Sequence, residues 1–325
     1  MTTSPQPRPT PRVVAVVVAY NRRDLLAQTL DGLAAQSRAC DAVVVVDNAS
    51  TDGSGAAARA HALGPDVVTL PRNTGGAGGF AAGIAHALQS HRADLVWIMD
   101  DDTVPTPAAL EALLAARAAY PGEPAVLASR VVWHDGRDHP MNTPRERPLV
   151  SGDLALKARA VGAVQIRSAS FVSLLLDARA VRAHGLPVAA YFLWNDDFEY
   201  TARLLRRRVG LYVTGSVVRH LTKTFGSTDA DPGERFRFEV RNKLWLFARS
   251  RALDPVGAVL YGGSSVLRWA RTIARSRQRR VVLRAGWRGL REGLGSRPAS
   301  TTAELAGLGP VSAEVAEVER GAGRG

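Results

Sequence analysis

Residues 94–107 read DLVWIMDDDTVPTP, and the fold can be worked out from this stretch. Leu95 to Met99 is an unbroken apolar run of strand length, as expected of a strand buried on both faces. It stops at Asp100, Asp101 and Asp102, and Pro105 and Pro107 then open a helix expected over Ala108 to Tyr120. Further apolar runs read as strands at Val13 to Ala19, Ala42 to Val46, Val67 to Leu70 and Ala125 to Val132. Between them lie helical periods: Leu25, Leu26, Leu30 and Leu33 behind a capping Asp24, then Ala56 to Leu63, then the glycine-bearing Gly78 to Leu88. This alternation predicts an α/β fold, a mostly parallel sheet with helices on both faces. Ligands of such sheets gather at the carboxyl ends of the strands, where this chain places its acids.

With 325 residues, 46% of them hydrophobic, the chain can bury a full core. The net charge of +12 and pI near 10.8 point to anionic partners, whether phosphorylated substrates, anionic lipid or nucleic acid. Cys40 is the single cysteine, which excludes an intrachain disulfide and fits a reducing compartment. Residues 1–12 read as a disordered lead-in and residues 13–230 as the α/β domain. Residues 231–294 form a basic helical region, and the Gly/Ala/Ser-rich residues 295–325 are expected to be a disordered tail. Trp133 to Ala160 reads as a long surface loop, a kind that often carries function. No apolar run is long enough to cross a bilayer, so the expected location is cytoplasmic, lying against the inner face of a membrane.

Four motifs carry chemistry. Carboxylates crowded after a buried strand repel one another unless a cation compensates, and Asp100 and Asp102 would project the same way from an extended segment. Hard oxygen ligands suit Mg²⁺ or Mn²⁺; the plain alternative is a solvated turn with Asp102 as a cap. VVVVDNASTDGS, residues 43–54, ends a strand in Asp47, which can hydrogen-bond a nucleoside or simply form a turn capped by Ser50 or Asp52. RNTGGAGGF, residues 72–80, lets backbone approach an anion at a helix start, or lets a helix pack closely on the sheet. In WNDDFEY, residues 194–200, Asp197 can serve as a general base, with Glu199 orienting an acceptor. His220, following a strand, can complete a metal site with Asp100 and Asp102.

The series VAYNR, VVVDNASTDGS, NTGGAGGF, the DDD triplet, WNDDFEY and a later histidine resembles the family 2 glycosyltransferases of the GT-A, Rossmann-like fold over about Val13 to Thr222. Within them it is most similar to the actinobacterial galactofuranosyltransferases of cell-wall galactan synthesis, and rhamnosyltransferases share much of the pattern. The resemblance implies a nucleotide-sugar site of Tyr20, Asp47, Asn73, Gly75, Gly76, Asp100 and Asp101. It implies Mn²⁺ or Mg²⁺ on Asp100, Asp102 and His220, with the choice of pair among the three acids left open. It implies Asp197 as catalytic base, with Trp194, Asp196 and Glu199 at the acceptor. The reaction implied is an inverting transfer of galactofuranose from UDP-galactofuranose, or of rhamnose from dTDP-rhamnose, to a glycan or polyprenyl-linked acceptor.

In the basic region, Val259, Val266, Ala270 and Ile273 recur at helical spacing beside Arg268, Arg271 and Arg275. Such a helix suits an anionic membrane surface, or packs on the catalytic domain with a solvated arginine face. Two other classes compete. Gly76, Gly78 and Ala81 match the dinucleotide fingerprint of oxidoreductases, but behind the third strand rather than the first. Nucleic-acid binding has only the charge in its favour.

Overall fold

The computed structural model describes residues 10–225 and 231–322. In chain order the elements are β1 (Val13–Ala19), α1 (Arg23–Ala34), β2 (Ala42–Asp47), α2 (Ser54–Ala60), β3 (Asp66–Thr69) and α3 (Gly75–Gln89). Then come β4 (Leu95–Asp100), β5 (Thr103–Pro105), α4 (Ala109–Ala119), β6 (Val126–Val132), β7 (Arg145–Glu146) and α5 (Gly152–Ala160). They are followed by β8 (Ala163–Ser168), β9 (Ser173–Asp177), α6 (Ala178–His184), α7 (Asp196–Leu205) and β10 (Gly210–His220). The chain closes with α8 (Phe236–Arg249), α9 (Pro255–Arg275), α10 (Arg279–Gly295), α11 (Thr301–Glu304) and α12 (Pro310–Ala322).

The strands form one sheet in the order β3-β2-β1-β4-β9-β6-β10-β8-β7, with β5 paired to β10. β1, β2, β3 and β4 run parallel, and β6 and β10 share their direction across the antiparallel β9. Alternate residues of the buried strands feed two cores. Val14, Val16 and Val18 pack with α3, α6, α7 and α12, while Val13, Ala15 and Val17 pack with α1 and α4. The glycines of α3 serve the close-packing role. A Cβ on Gly83 would fall 2.4 Å from Val16 Cγ1, so a larger residue there would force the helix off the sheet.

Three sequence expectations are corrected by these elements. Residues 295–325 are not a disordered tail throughout, since α11 and α12 are ordered helices. Leu305, Leu308, Val311, Val315 and Val318 are buried against the core over α3, because the last three repeat at helical spacing. Residues 133–160 are not simply a loop, because they carry β7 and α5 and a bridge from Val132 to Asp138. Asp24 does not cap α1 either: it lies in the first turn, and the Asp52 carboxylate accepts from Arg23 N–H at 2.9 Å instead. Of the disordered lead-in expected at residues 1–12, residues 1–9 fall outside the described residues.

Candidate active site

Register sets out the acidic centre. Parallel pairing of Val18 with Asp100 brings the acid triplet beside Tyr20 at the carboxyl end of the sheet. Antiparallel pairing of Thr103 with His220 then places the imidazole next to Asp102. The three acids point in different directions. Asp101 turns inward, accepting from Tyr20 N–H at 2.9 Å and from Arg22 Nη1 at 3.2 Å. Arg22 also bridges to Asp102. Ligand atoms of Asp100, Asp102 and His220 all lie within 4.8 Å of one another, so these three, not Asp101, converge on a point. Burial pushes Asp100 up to about 6, and the neighbouring Asp102 charge adds to the rise. Burial likewise raises Asp101 to about 7 against the pull of Arg22.

The orientation of His220 can be read from its partners. Asn142 Nδ2 donates to Ser170 Oγ at 3.1 Å, so its Oδ1 accepts, and His220 Nδ1 donates to that oxygen at 2.9 Å. Nε2 is then the ring nitrogen turned to the acids. It lies 3.1 Å from Asp102 Oδ1, a buried oxygen that accepts no aligned hydrogen bond. A proton on Nε2 or a metal ion can bridge that gap, and the chemistry of the donor set, two carboxylates and an imidazole, fits a divalent ion.

Across the cleft, α7 begins at Asp196 behind a backbone in left-handed conformations at Trp194 and Asn195. α8 holds this strained segment. Asn242 Nδ2 donates to the carbonyls of Tyr191, Leu193 and Trp194 at 2.8–2.9 Å, and Arg241 binds those of Ala190 and Tyr191. Gly75 is required here, since a Cβ on it would meet Phe192 O at 2.0 Å. Burial and the adjacent Asp197 charge push Asp196 well above the carboxylate range. Burial raises Asp197 too, opposed by the Phe198 N–H and the Arg145 charge, which leaves it the less raised of the pair. Asp197 lines both a cleft of about 1240 Å³, shared with Arg22, Asp102, Trp194 and Asp196, and a side pocket of about 160 Å³ with Arg145, Lys243 and Arg268.

Glu199 is a correction. Its Oε1 accepts from Arg203 Nε at 2.9 Å and Ser250 Oγ at 2.7 Å, and it lines neither cavity. Two residues along a helix is roughly a 200° turn, so Glu199 faces away from Asp197. Asp47 Oδ1 accepts from Ser50 N–H at 2.9 Å, and Asn73 Oδ1 from Gly75 N–H at 2.7 Å. Asn48 joins their two loops, accepting from Thr74 N–H and donating to Gly75 O. Tyr20 is half-exposed at the strand end, and Gly76 faces the Asp196 carboxylate. The sequence reading did not single out Arg22, Asn142, Arg145, Asn242 or Lys243. Only Arg22, inside VAYNR, stood in a motif that could have signalled it.

The sheet order, the strand-end acids and the two facing helix starts define a GT-A sugar-nucleotide fold. Residues 14–168 match the profile described as Glycosyl transferase family 2. The chain belongs to the family 2 glycosyltransferases. It is 36% identical over 207 residues to "Galactofuranosyltransferase GlfT1" of Mycobacterium tuberculosis, covering 61% of this chain and 66% of that protein. Solved structures of similar fold include Staphylococcus aureus TarS 1–349 in complex with UDP-GlcNAc, with a TM-score of 0.58 at 15% identity over 95% of this chain and 89% of that one. Another is the mannosyltransferase PcManGT of Pyrobaculum calidifontis in complex with GDP-Man and Mn²⁺, with a TM-score of 0.52 at 18% identity over 97% and 86%.

Proposed function

We propose that the protein is a metal-dependent, inverting galactofuranosyltransferase that uses UDP-galactofuranose and a glycan hydroxyl on a lipid-linked or cell-wall acceptor. The observation that carries this reading is the convergence of His220 Nε2 and Asp102 Oδ1 beside Asp100, across the cleft from Asp197. Asp100, Asp102 and His220 would hold Mn²⁺ or Mg²⁺, which when bound neutralises charge developing on the leaving diphosphate. Arg22 braces Asp101 and Asp102 in place. Asp47, Asn73 and the Gly75–Gly76 turn, with Tyr20, form the wall offered to the nucleotide.

Asp197 takes the proton from the acceptor hydroxyl, whose oxygen then attacks the anomeric carbon opposite the nucleotide. A single base suffices because a diphosphate leaves without a proton, so the configuration inverts. Asp196 and Trp194 position the sugars, and Arg145, Lys243 and Arg268 favour an anionic acceptor. On α9, Val256, Val259, Leu260, Val266 and Leu267 are exposed, with Arg271 and Arg275 alongside. That apolar face with a basic flank supports peripheral attachment to anionic lipid. No helix among the described residues is long and apolar enough to cross a membrane.

Purified protein should transfer from UDP-galactofuranose to a lipid-linked acceptor in Mn²⁺ or Mg²⁺ and stop on chelation. Full activity in excess chelator would overturn the metal assignment. Transfer from dTDP-rhamnose but not UDP-galactofuranose would overturn the sugar.

A further inference from the structure

At the opposite, amino-terminal end of the sheet, Asp66, His86 and His91 form a second convergent cluster. Asp66 opens the edge strand β3, His86 lies in the last turn of α3, and His91 follows that helix. One oxygen, Asp66 Oδ2, stands 2.9 Å from both His86 Nε2 and His91 Nε2. The two rings meet edge to face at 5.4 Å. The remaining nitrogen of His86 is committed elsewhere: Nδ1 faces both oxygens of Glu314, at 3.1 and 2.9 Å, and Ser90 Oγ donates to that carboxylate. With Nδ1–H given to Glu314, Nε2 is the His86 nitrogen aimed at the Asp66 oxygen; the two carboxylates favour a proton on it, and an ion enters by displacing that proton.

We propose that Asp66, His86 and His91 bind a zinc-class divalent ion, and that the site fastens the C-terminal helix α12 to the catalytic domain. Two imidazoles and one carboxylate are a borderline-soft donor set, unlike the acid-rich cluster at the carboxyl end of the strands. Ligand atoms around a tetrahedral zinc stand roughly 3.4 Å apart, as follows from metal–ligand bonds near 2.0–2.1 Å. Asp66 Oδ2 already lies 2.9 Å from each imidazole nitrogen, so opening those two contacts by about half an ångström brings them to that spacing. Asp66 is the most exposed of the three, which leaves room for water as a fourth ligand.

Glu314 gives the site its meaning. A carboxylate on the far nitrogen of a metal-bound imidazole fixes the tautomer and strengthens the ligand. Here that carboxylate belongs to α12, whose Val311, Val315 and Val318 cover the core over α3. An ion on His86 therefore favours the docked tail, and the docked tail favours the ion, by the same factor.

The test uses the full chain, stripped of metal and titrated with Zn²⁺ alone under equilibrium dialysis, with thermal unfolding in parallel. Wild type should bind one more equivalent than His91→Gln or Asp66→Asn, and zinc should raise its unfolding temperature by more than theirs. Glu314→Gln should weaken that equivalent about 10–100-fold. Asp102→Asn should leave it intact, and Mn²⁺-supported transfer by His91→Gln should match wild type. Equal zinc binding by wild type, His91→Gln and Asp66→Asn would overturn the proposal. So would zinc binding that Asp102→Asn alone removes.

Discussion

Replacing Asn142 with leucine is the sharpest probe of the metal reading, because Asn142 is a buried amide that enters the centre only through His220. The substitution keeps side-chain size and removes the oxygen that accepts the His220 Nδ1 proton. The imidazole then loses the partner that fixes its tautomer and aims Nε2 at Asp102 Oδ1. Partners of this kind contribute about 10–100-fold in metal affinity, equivalent to about 1.4–2.7 kcal/mol. The Mn²⁺ concentration giving half-maximal transfer should rise by that factor. Turnover at saturating Mn²⁺ should stay near wild type, since no group touching the sugars has changed. Ser170→Ala, which removes only the bond orienting the amide, should shift the midpoint in the same direction by less. An unchanged Mn²⁺ midpoint in Asn142→Leu would refute the reasoning. A fall in turnover at an unchanged midpoint would move Asn142 to the acceptor side.

Asp197→Asn keeps shape and removes basicity, so kcat should drop roughly 10²–10⁴-fold with the donor KM little altered; a crippled Asp196→Asn beside a mild Asp197→Asn would move the base by one residue. Because burial raises Asp197 and its working form is ionised, activity should fall as pH drops through a limb above the ordinary carboxylate range. The Arg145 charge opposes that rise, so Arg145→Gln should move the limb to higher pH in kcat profiles, and an unmoved limb would separate it from Asp197. On α9, Arg271→Gln with Arg275→Gln should cost about 1 kcal/mol each in binding to anionic vesicles, measured by co-sedimentation, while transfer to a short soluble acceptor persists. Equal vesicle binding by wild type and the double variant would leave α9 without a membrane role.

What could be read from the sequence was local. The run from Leu95 to Asp102 is one strand and its end, and parallel pairing with Val13–Ala19 follows from patterning. The choice among three adjacent acids was not legible, because it depends on Arg22 and the Tyr20 N–H claiming Asp101 from another strand. Asn142 and Asn242 were invisible for the same reason: each acts on a segment at least 48 residues away. Glu199 was legible and was misjudged, since helical phase alone turns it from Asp197. The tail was also misjudged. Composition outweighed a Val311, Val315, Val318 stripe that marks a buried helix face.

The basic helices are less an appendage than one wall of the cleft, and this separates the arginines of α9. α8 grips residues 190–194 through Arg241 and Asn242, and α9 contributes Arg268 and Trp269 to the cleft that Asp197 faces. At 100° per residue, Val256, Val259, Leu260, Val266 and Leu267 fall within roughly 120° of arc, with Ser265 on the opposite, buried side. Arg268 stands between those faces and already lines the side pocket with Asp197. Removing it would therefore disturb the acceptor site along with any membrane contact, and a variant meant to isolate the membrane term must leave it in place. The same helix thus turns an apolar face outward and an arginine inward. An acceptor whose lipid end lies in the bilayer would meet both in sequence, its anionic group reaching Arg268 as its sugar reaches Asp197.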